Sequence, residues 1–139
     1  MLSQAVIKQC TQDFQDIRGF DRTELIHLEE GLVHARAYPG PDSVNDLETV
    51  HGGFYLALAD QAAAAACESM GSVMVTVNMS ASFFRPAFAK DAFIDIKARV
   101  IHAGRKTAAA EVEMFNPEEK LLFKGGFTLM PVAAIGDEE

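Results

Sequence analysis

Apolar and polar positions change their period several times along the chain, and each change predicts an element. Residues 3–16 put Val6, Ile7, Cys10 and Phe14 on one side of a helical wheel, which predicts a short amphipathic helix, and Gly19 marks a break after it. Thr23 to Arg36 reads as two short strands around Gly31. Tyr38-Pro39-Gly40-Pro41-Asp42 is turn chemistry and opens a loop that runs to about Val50. The stretch from Gly53 to Met70 is rich in the strong helix formers Ala and Leu and contains no proline, with Gly71 placed to end it. It is apolar nearly all round, so the helix it predicts belongs inside the molecule.

Beyond Gly71 the period drops to two. Residues 73–83 set Val73, Val75, Val77, Met79, Ala81 and Phe83 on one face of a strand, and Met74, Thr76, Asn78, Ser80 and Ser82 on the other. Arg85-Pro86 ends it. Residues 92–102 and 105–115 predict two more strands joined by a turn near Gly104, and Asn116-Pro117-Glu118-Glu119 turns into a last strand, Leu121 to Met130. Two strands, one long buried helix and about four antiparallel strands argue an α+β fold with the helix on one face of the sheet. No repeat or linker divides the 139 residues, which predicts a single domain over 1–139, with an N-terminal helical segment at 1–18 and a core at 19–132.

Composition narrows the function classes. A net charge of −8 repels nucleic acid and anionic membrane surfaces at long range, while a local basic cluster can still hold an anionic small ligand. No apolar run approaches the roughly 20 residues that span a bilayer. The N-terminus lacks the basic and apolar regions of a signal peptide, so a cytoplasmic location is expected. Cys10 and Cys67 show neither a disulfide framework nor metal spacing and read as buried, idle thiols. His27, His34 and His102 are scattered on strands without ligand spacing, so no metal and no cofactor is expected.

The chemistry concentrates between Asn45 and Asp60. His51-Gly52-Gly53 sits where a loop enters the helix. The first amides of a helix have no partners within it and lie at the positive end of its dipole, and glycine lets a substrate approach the backbone. Such a place can bind a developing oxyanion, or it can be a simple turn. Asp60 has apolar neighbours three and four positions away: Leu56, Ala57, Ala63 and Ala64. A carboxylate on that stripe is either tied to a strand as a structural cap or set there as a base, since desolvation raises a carboxyl pKa. Gly52 and Asp60 stand about 12 Å apart along one helix, too far to serve one substrate carbonyl together. If both act in one site they come from different subunits, with two antiparallel copies of the helix around a twofold axis.

In order and spacing, these motifs resemble the PaaI-like branch of the hotdog-fold acyl-CoA thioesterases. The residues that carry the resemblance are Asn45, His51-Gly52-Gly53 and Asp60, then the strand from Thr76 to Phe84 ending in Arg85-Pro86-Ala87, then Gly104-Arg105-Lys106-Thr107. It runs from about Arg22 to Pro131. The resemblance implies a curved antiparallel sheet wrapped around one long central helix, and hydrolysis of acyl-CoA to a free acid and coenzyme A. It implies Asp60 as base or nucleophile, the Gly52 amide as oxyanion donor, and Asn45 and His51 as shapers of the loop. Thr76 positions the water or the acid from the Asp60 subunit, and Gly53, Arg105 and Lys106 meet the coenzyme A portion. A homodimer or a dimer of dimers is expected. Lys124-Gly125-Gly126 departs from the family's small or apolar residues. Thr76 also reads as an ordinary strand residue, His51 as a loop-former and Arg105-Lys106 as a solvated hairpin tip. A non-catalytic acyl-CoA binder and a hotdog enoyl-thioester hydratase are the rival functions; against the first stands Asp60, and against the second the lack of a histidine beside it.

Overall fold

The computed structural model describes residues 2–14 and 20–136. The end of the expected first helix, at 15–16, and the break at Gly19 lie outside the described residues. The first helix, α1, spans Gln4–Asp13 and starts on Ser3, whose hydroxyl accepts from the Val6 amide at 3.2 Å. Strands β1 (Phe20–Glu29) and β2 (Leu32–Pro39) form a hairpin turning at Gly31, where φ is +78°. A one-turn 3₁₀ segment, Pro41–Ser43, leads into the loop before the central helix α2, Gly52–Glu68. Then follow β3 (Ser72–Phe83), β4 (Ile94–Ala103), β5 (Ala108–Phe115) and β6 (Leu121–Ala134). They form one six-stranded sheet in the order β1-β2-β4-β5-β6-β3, with every described pairing antiparallel.

Alternation explains how the sheet holds α2. Val33, Ala35 and Ala37 of β2, Ile94, Ile96 and Ala98 of β4, and Ala108, Ala110, Val112 and Met114 of β5 are buried, while their neighbours are not. Every second residue therefore faces the helix. Much of that inner face is alanine, and it meets Ala62, Ala63, Ala65 and Ala66 of α2, also buried. Small side chains on both surfaces let helix and sheet approach closely. This is the hotdog architecture: a curved antiparallel sheet around one long helix. α1 packs on α2 as well, with the Cys10 thiol donating to the Ala65 carbonyl at 3.3 Å. Cys10 and Cys67 are both buried and neither is in a disulfide, and burial, helped by Glu68, pushes the Cys67 thiol up to about 11.

The expected elements are all present; β1 and β2 reach further than expected, from Phe20 to Pro39 rather than from Thr23 to Arg36, so Tyr38 and Pro39 are strand and not turn, and three other differences follow. α2 ends at Glu68 rather than Met70, because the Ser69 hydroxyl turns back onto the Ala66 carbonyl at 2.6 Å; Gly71, with φ +117°, then reverses the chain. β6 runs on to Ala134 through Pro131, because β5 reaches only Leu129 and leaves that stretch a single neighbour, β3. The third difference concerns β3. Its register against β6 slips between Thr76 and Asn78, a bulge at Val77 that reverses the alternation. Thr76 pairs with Leu129, Met79 with Phe127 and Phe83 with Phe123, and all three partners are buried against α2. Thr76 therefore shares the inner side with Met79, Ala81 and Phe83, while Val75, opposite Met130, is on the outer side. The single apolar face expected for residues 73–83 is split. No helix is long and apolar enough to cross a membrane.

Candidate active site

The loop before α2 is built by its own side chains. The Asn45 carboxamide oxygen accepts from the Leu47 amide at 2.9 Å, the Thr49 amide at 3.2 Å and the Thr49 hydroxyl at 3.0 Å. That triple acceptance supports a tight turn in which Glu48 adopts φ +60°. Tyr55 ties the loop to the segment that follows β3: its hydroxyl accepts from the Ala87 amide at 2.7 Å, and the Ala87 carbonyl accepts from the Val50 amide at 2.8 Å. Burial raises the Tyr55 pKa, which keeps that phenol neutral. His51 is the N-cap residue. Its carbonyl takes the Phe54 and Tyr55 amides, and its exposed ring lies edge-on to Phe54 at 5.8 Å.

The Gly52 and Gly53 amides are thereby left over. Among the described residues neither has a protein acceptor, and both residues are exposed. Neither glycine is required by the fold. Neither has a left-handed φ; a Cβ on Gly52 would meet only the Phe83 ring at an ordinary 3.8 Å, and one on Gly53 would meet nothing within 4 Å. Beside Gly52 lies an open hollow of about 330 Å³ walled by Val50, Tyr55, Phe83, Phe84, Arg85 and Pro86. Tyr55, Phe83 and Phe123 interlock behind it with ring centroids 5.4 to 6.1 Å apart.

Asp60 sits two turns further along α2 and is half-buried. The Thr76 hydroxyl donates to its Oδ1 at 2.5 Å, across from the middle of β3. A hydrogen bond to a charged group is worth about 1.5–3 kcal/mol and fixes the carboxylate's rotamer. The bulge at Val77 lies next to Thr76 and separates its inward alternation from that of Met79. The stripe around Asp60 is less enclosed than its apolar sequence predicts: Ala57 is exposed and Leu56 and Ala64 are half-buried, while Ala63 is buried. Within one chain, α2 is thus open along Gly53, Ala57 and Asp60.

Arg105 and Lys106 occupy the β4–β5 turn, where the Gly104 amide donates to the Thr107 carbonyl at 2.8 Å. Both are exposed and line a hollow of about 570 Å³ with His102, Gly104 and Thr107. The predicted residues thus fall into three groups in one chain: Asn45, His51, Gly52 and Gly53 at the helix start; Asp60 with Thr76 at its middle; and Arg105 with Lys106 at the turn. The structure joins Asp60 to Thr76 directly and does not bring Gly52 to Asp60. Lys124, the departure from the family pattern, lies 3.9 Å from both Glu111 and Glu113 on the outer face, away from all three groups. Sequence reasoning missed Tyr55 as the anchor of the loop, and set His102 aside as one of several scattered histidines.

Comparison with known proteins bears on the family and the fold. The family described as Thioesterase superfamily matches residues 47–123, more than half of the chain. The acyl-coenzyme A thioesterase PaaI of Escherichia coli is 33% identical over 104 residues, covering 73% of this chain and 74% of that protein. A hypothetical thioesterase from Streptococcus pneumoniae, solved with coenzyme A, superposes with a TM-score of 0.85 at 25% identity over 94% of this chain and 99% of its own. A Streptococcus mutans protein bound to acetyl-CoA gives 0.80 at 26% identity over 86% of this chain and 96% of its own. The Streptococcus pneumoniae protein has also been solved with an aspartate, and separately a threonine, changed to alanine; those two positions are sixteen apart, as Asp60 and Thr76 are.

Proposed function

Because the chain belongs to the thioesterase superfamily, we propose that it hydrolyses acyl-coenzyme A thioesters, in sites each shared by two copies of the chain. The observation that carries the reading is the Asp60 carboxylate, held at 2.5 Å by Thr76 on the uncovered side of α2. One Asp60 oxygen is engaged and the other is free to take a proton from water, or to attack the carbonyl itself. In the base route, the water oxygen bonds to the thioester carbon as Asp60 receives the proton. The carbonyl oxygen becomes an oxyanion beside the Gly52 amide. Collapse then breaks the C–S bond, and the departing thiolate takes the proton back from Asp60. Preorganised amides at a developing oxyanion contribute about 10²–10³ in rate. Asn45 and His51 hold the loop that aims this amide, Gly53 leaves room for the thioester, and Arg105 and Lys106 meet the coenzyme A phosphates.

Two features support the shared site. Gly52 precedes Asp60 by about 12 Å of helix, too far for one carbonyl. The open side of α2 also adjoins an edge strand, β3, whose Val75 and Val77 are 43% and 53% exposed. A long apolar edge calls for a covering strand. A second copy related by a twofold axis would pair the two β3 edges and lay Gly52 of one α2 beside Asp60 of the other.

The test is a panel of acyl-CoA thioesters incubated with the protein and a thiol reagent. Thiol release that depends on Asp60 is expected. Loss of enoyl absorbance without thiol release would make the protein a hydratase, and binding without either change would make it a non-catalytic acyl-CoA binder.

A further inference from the structure

The pairing of β3 with β6 changes register twice, and the two changes cancel. Val73 stands opposite Ala133 but Met74 opposite Pro131, so Val132 is an extra residue on β6. Thr76 stands opposite Leu129 but Asn78 opposite Thr128, so Val77 is an extra residue on β3. Met74, Val75 and Thr76 lie between these two bulges, one residue out of step with both flanks. Closing both bulges would give β3 one continuous register, with Thr76 opposite Met130 and Val77 opposite Leu129. Opposed residues share a face, and a slip of one residue reverses every side chain. Val77 would then join the buried Leu129 on the inner side, and Thr76 would turn outward with Met130, which is exposed. That register restores the single apolar face written in the sequence from Val73 to Phe83. The observed one leaves Val75 and Val77 exposed and turns a threonine inward instead.

What holds the three residues out of step comes from α2. Two hydrogen bonds to its side chains start in this segment: the Thr76 hydroxyl donates to Asp60 at 2.5 Å, and the Met74 amide donates to Glu68 at 3.0 Å. Glu68 is only 2% exposed, and its second oxygen, Oε1, is buried without a hydrogen-bond partner among the described residues. A half-satisfied buried carboxyl group costs free energy that an apolar side chain of the same size would not. The bond it does make is the one to Met74, two residues from Thr76.

We propose that Glu68 is a positioning residue for the reaction: by holding the Met74 amide it keeps residues 74–76 out of step, and so keeps the Thr76 hydroxyl turned onto Asp60. β3 then has two registers, an inactive one that buries its valines and an active one that buries Thr76. The inference rests on the catalytic reading of Asp60 given above, but the register itself is measurable without activity.

Glu68→Met fills the same space without an acceptor, whereas Glu68→Gln keeps one. In Glu68→Met, kcat for an acyl-CoA should fall about tenfold, as in Thr76→Val, with KM unchanged, and Glu68→Gln should stay within about twofold of wild type. Added to Thr76→Val, Glu68→Met should cost nothing further, because both act through one hydroxyl; a merely structural role would make the losses multiply. Deleting Val77 makes Thr76 opposite Leu129 the regular pairing, so in that background Glu68→Met should leave kcat where the deletion alone puts it. Nuclear Overhauser contacts between the Thr76 and Asp60 side chains read the register directly: they should be present in the wild type and Glu68→Gln, and lost in Glu68→Met in favour of contacts from Val77 to α2. Wild-type kcat in Glu68→Met, multiplying losses, or Thr76–Asp60 contacts that persist in Glu68→Met would each overturn the inference. Loss of those contacts in a protein whose wild type releases no thiol from acyl-CoA would uphold the two registers and overturn the function assigned to the site.

Discussion

In the proposed mechanism the chemistry turns on Asp60 and Thr76, which are hydrogen-bonded to each other. Asp60→Asn keeps the shape of the side chain and its contact with Thr76 but removes the proton acceptor. Turnover of the best acyl-CoA should fall by about 10²–10⁴, with the melting temperature nearly unchanged. Thr76→Val removes only the hydroxyl that holds Oδ1. A bond to a charged group of about 1.5–3 kcal/mol corresponds to a loss in kcat of roughly tenfold or more, and a variant with wild-type kcat would make Thr76 an ordinary strand residue. A different carboxylate governs stability. Asp95 on β4 accepts from His34 at 2.7 Å and Arg36 at 2.9 Å. Burial pushes its pKa up, but those two hydrogen bonds outweigh burial and hold it below the ordinary carboxylate value. Its contribution is therefore present above the unfolded pKa and lost as pH falls through the folded one. Urea unfolding should show Asp95→Asn less stable than wild type at neutral pH, with the gap closing as pH falls below the ordinary carboxylate range. A gap independent of pH would contradict the assignment.

At the scale of elements, α2 is where the fold and the site meet. Its alanines admit the sheet on one side, Glu68 ties its end to β3 by accepting from the Met74 amide at 3.0 Å, and its start offers the two unsatisfied glycine amides. The geometry of that start supplies a sharp test. His51 has φ −60° and ψ 140°, the conformation that a residue before proline prefers, and proline is well tolerated at the first helical position. Gly52→Pro should therefore fold normally while deleting the N–H proposed to hold the oxyanion, and kcat should fall by about 10²–10³. Gly52→Ala keeps the donor and, with room for its methyl group against Phe83, should lose far less. Equal activity in both variants would remove Gly52 from the mechanism. The elements themselves were legible because their periods are clean: alternation in β5, and an unbroken Ala-rich run in α2. The bulge at Val77 was not. A one-residue slip leaves no mark in a strand made of Val, Met, Thr and Ser, and yet it decides that Thr76 and Met79 share a face.

The whole molecule presents an open side that a single chain leaves uncovered: the β3 edge and the stripe Gly53, Ala57 and Asp60 of α2. The proposal of a second copy rests on the eight-residue gap between Gly52 and Asp60, which was legible in the sequence because helix geometry alone separates them. The place of the β4–β5 turn was not, because it follows from pairings among β4, β5, β6 and β3, which are distant in sequence. The central claim is that one site is completed by two chains, and complementation tests it most directly. Gly52→Pro and Asp60→Asn proteins, each nearly inactive alone, are unfolded together, refolded as an equal mixture and assayed for acyl-CoA hydrolysis. Random pairing makes half the dimers mixed, each with one site carrying both defects and one carrying neither, so recovery of roughly a quarter of wild-type activity is expected. Well-folded mixed dimers that recover nothing would contradict the account, and Asp60 and Gly52 would then have to act within one chain or not together at all.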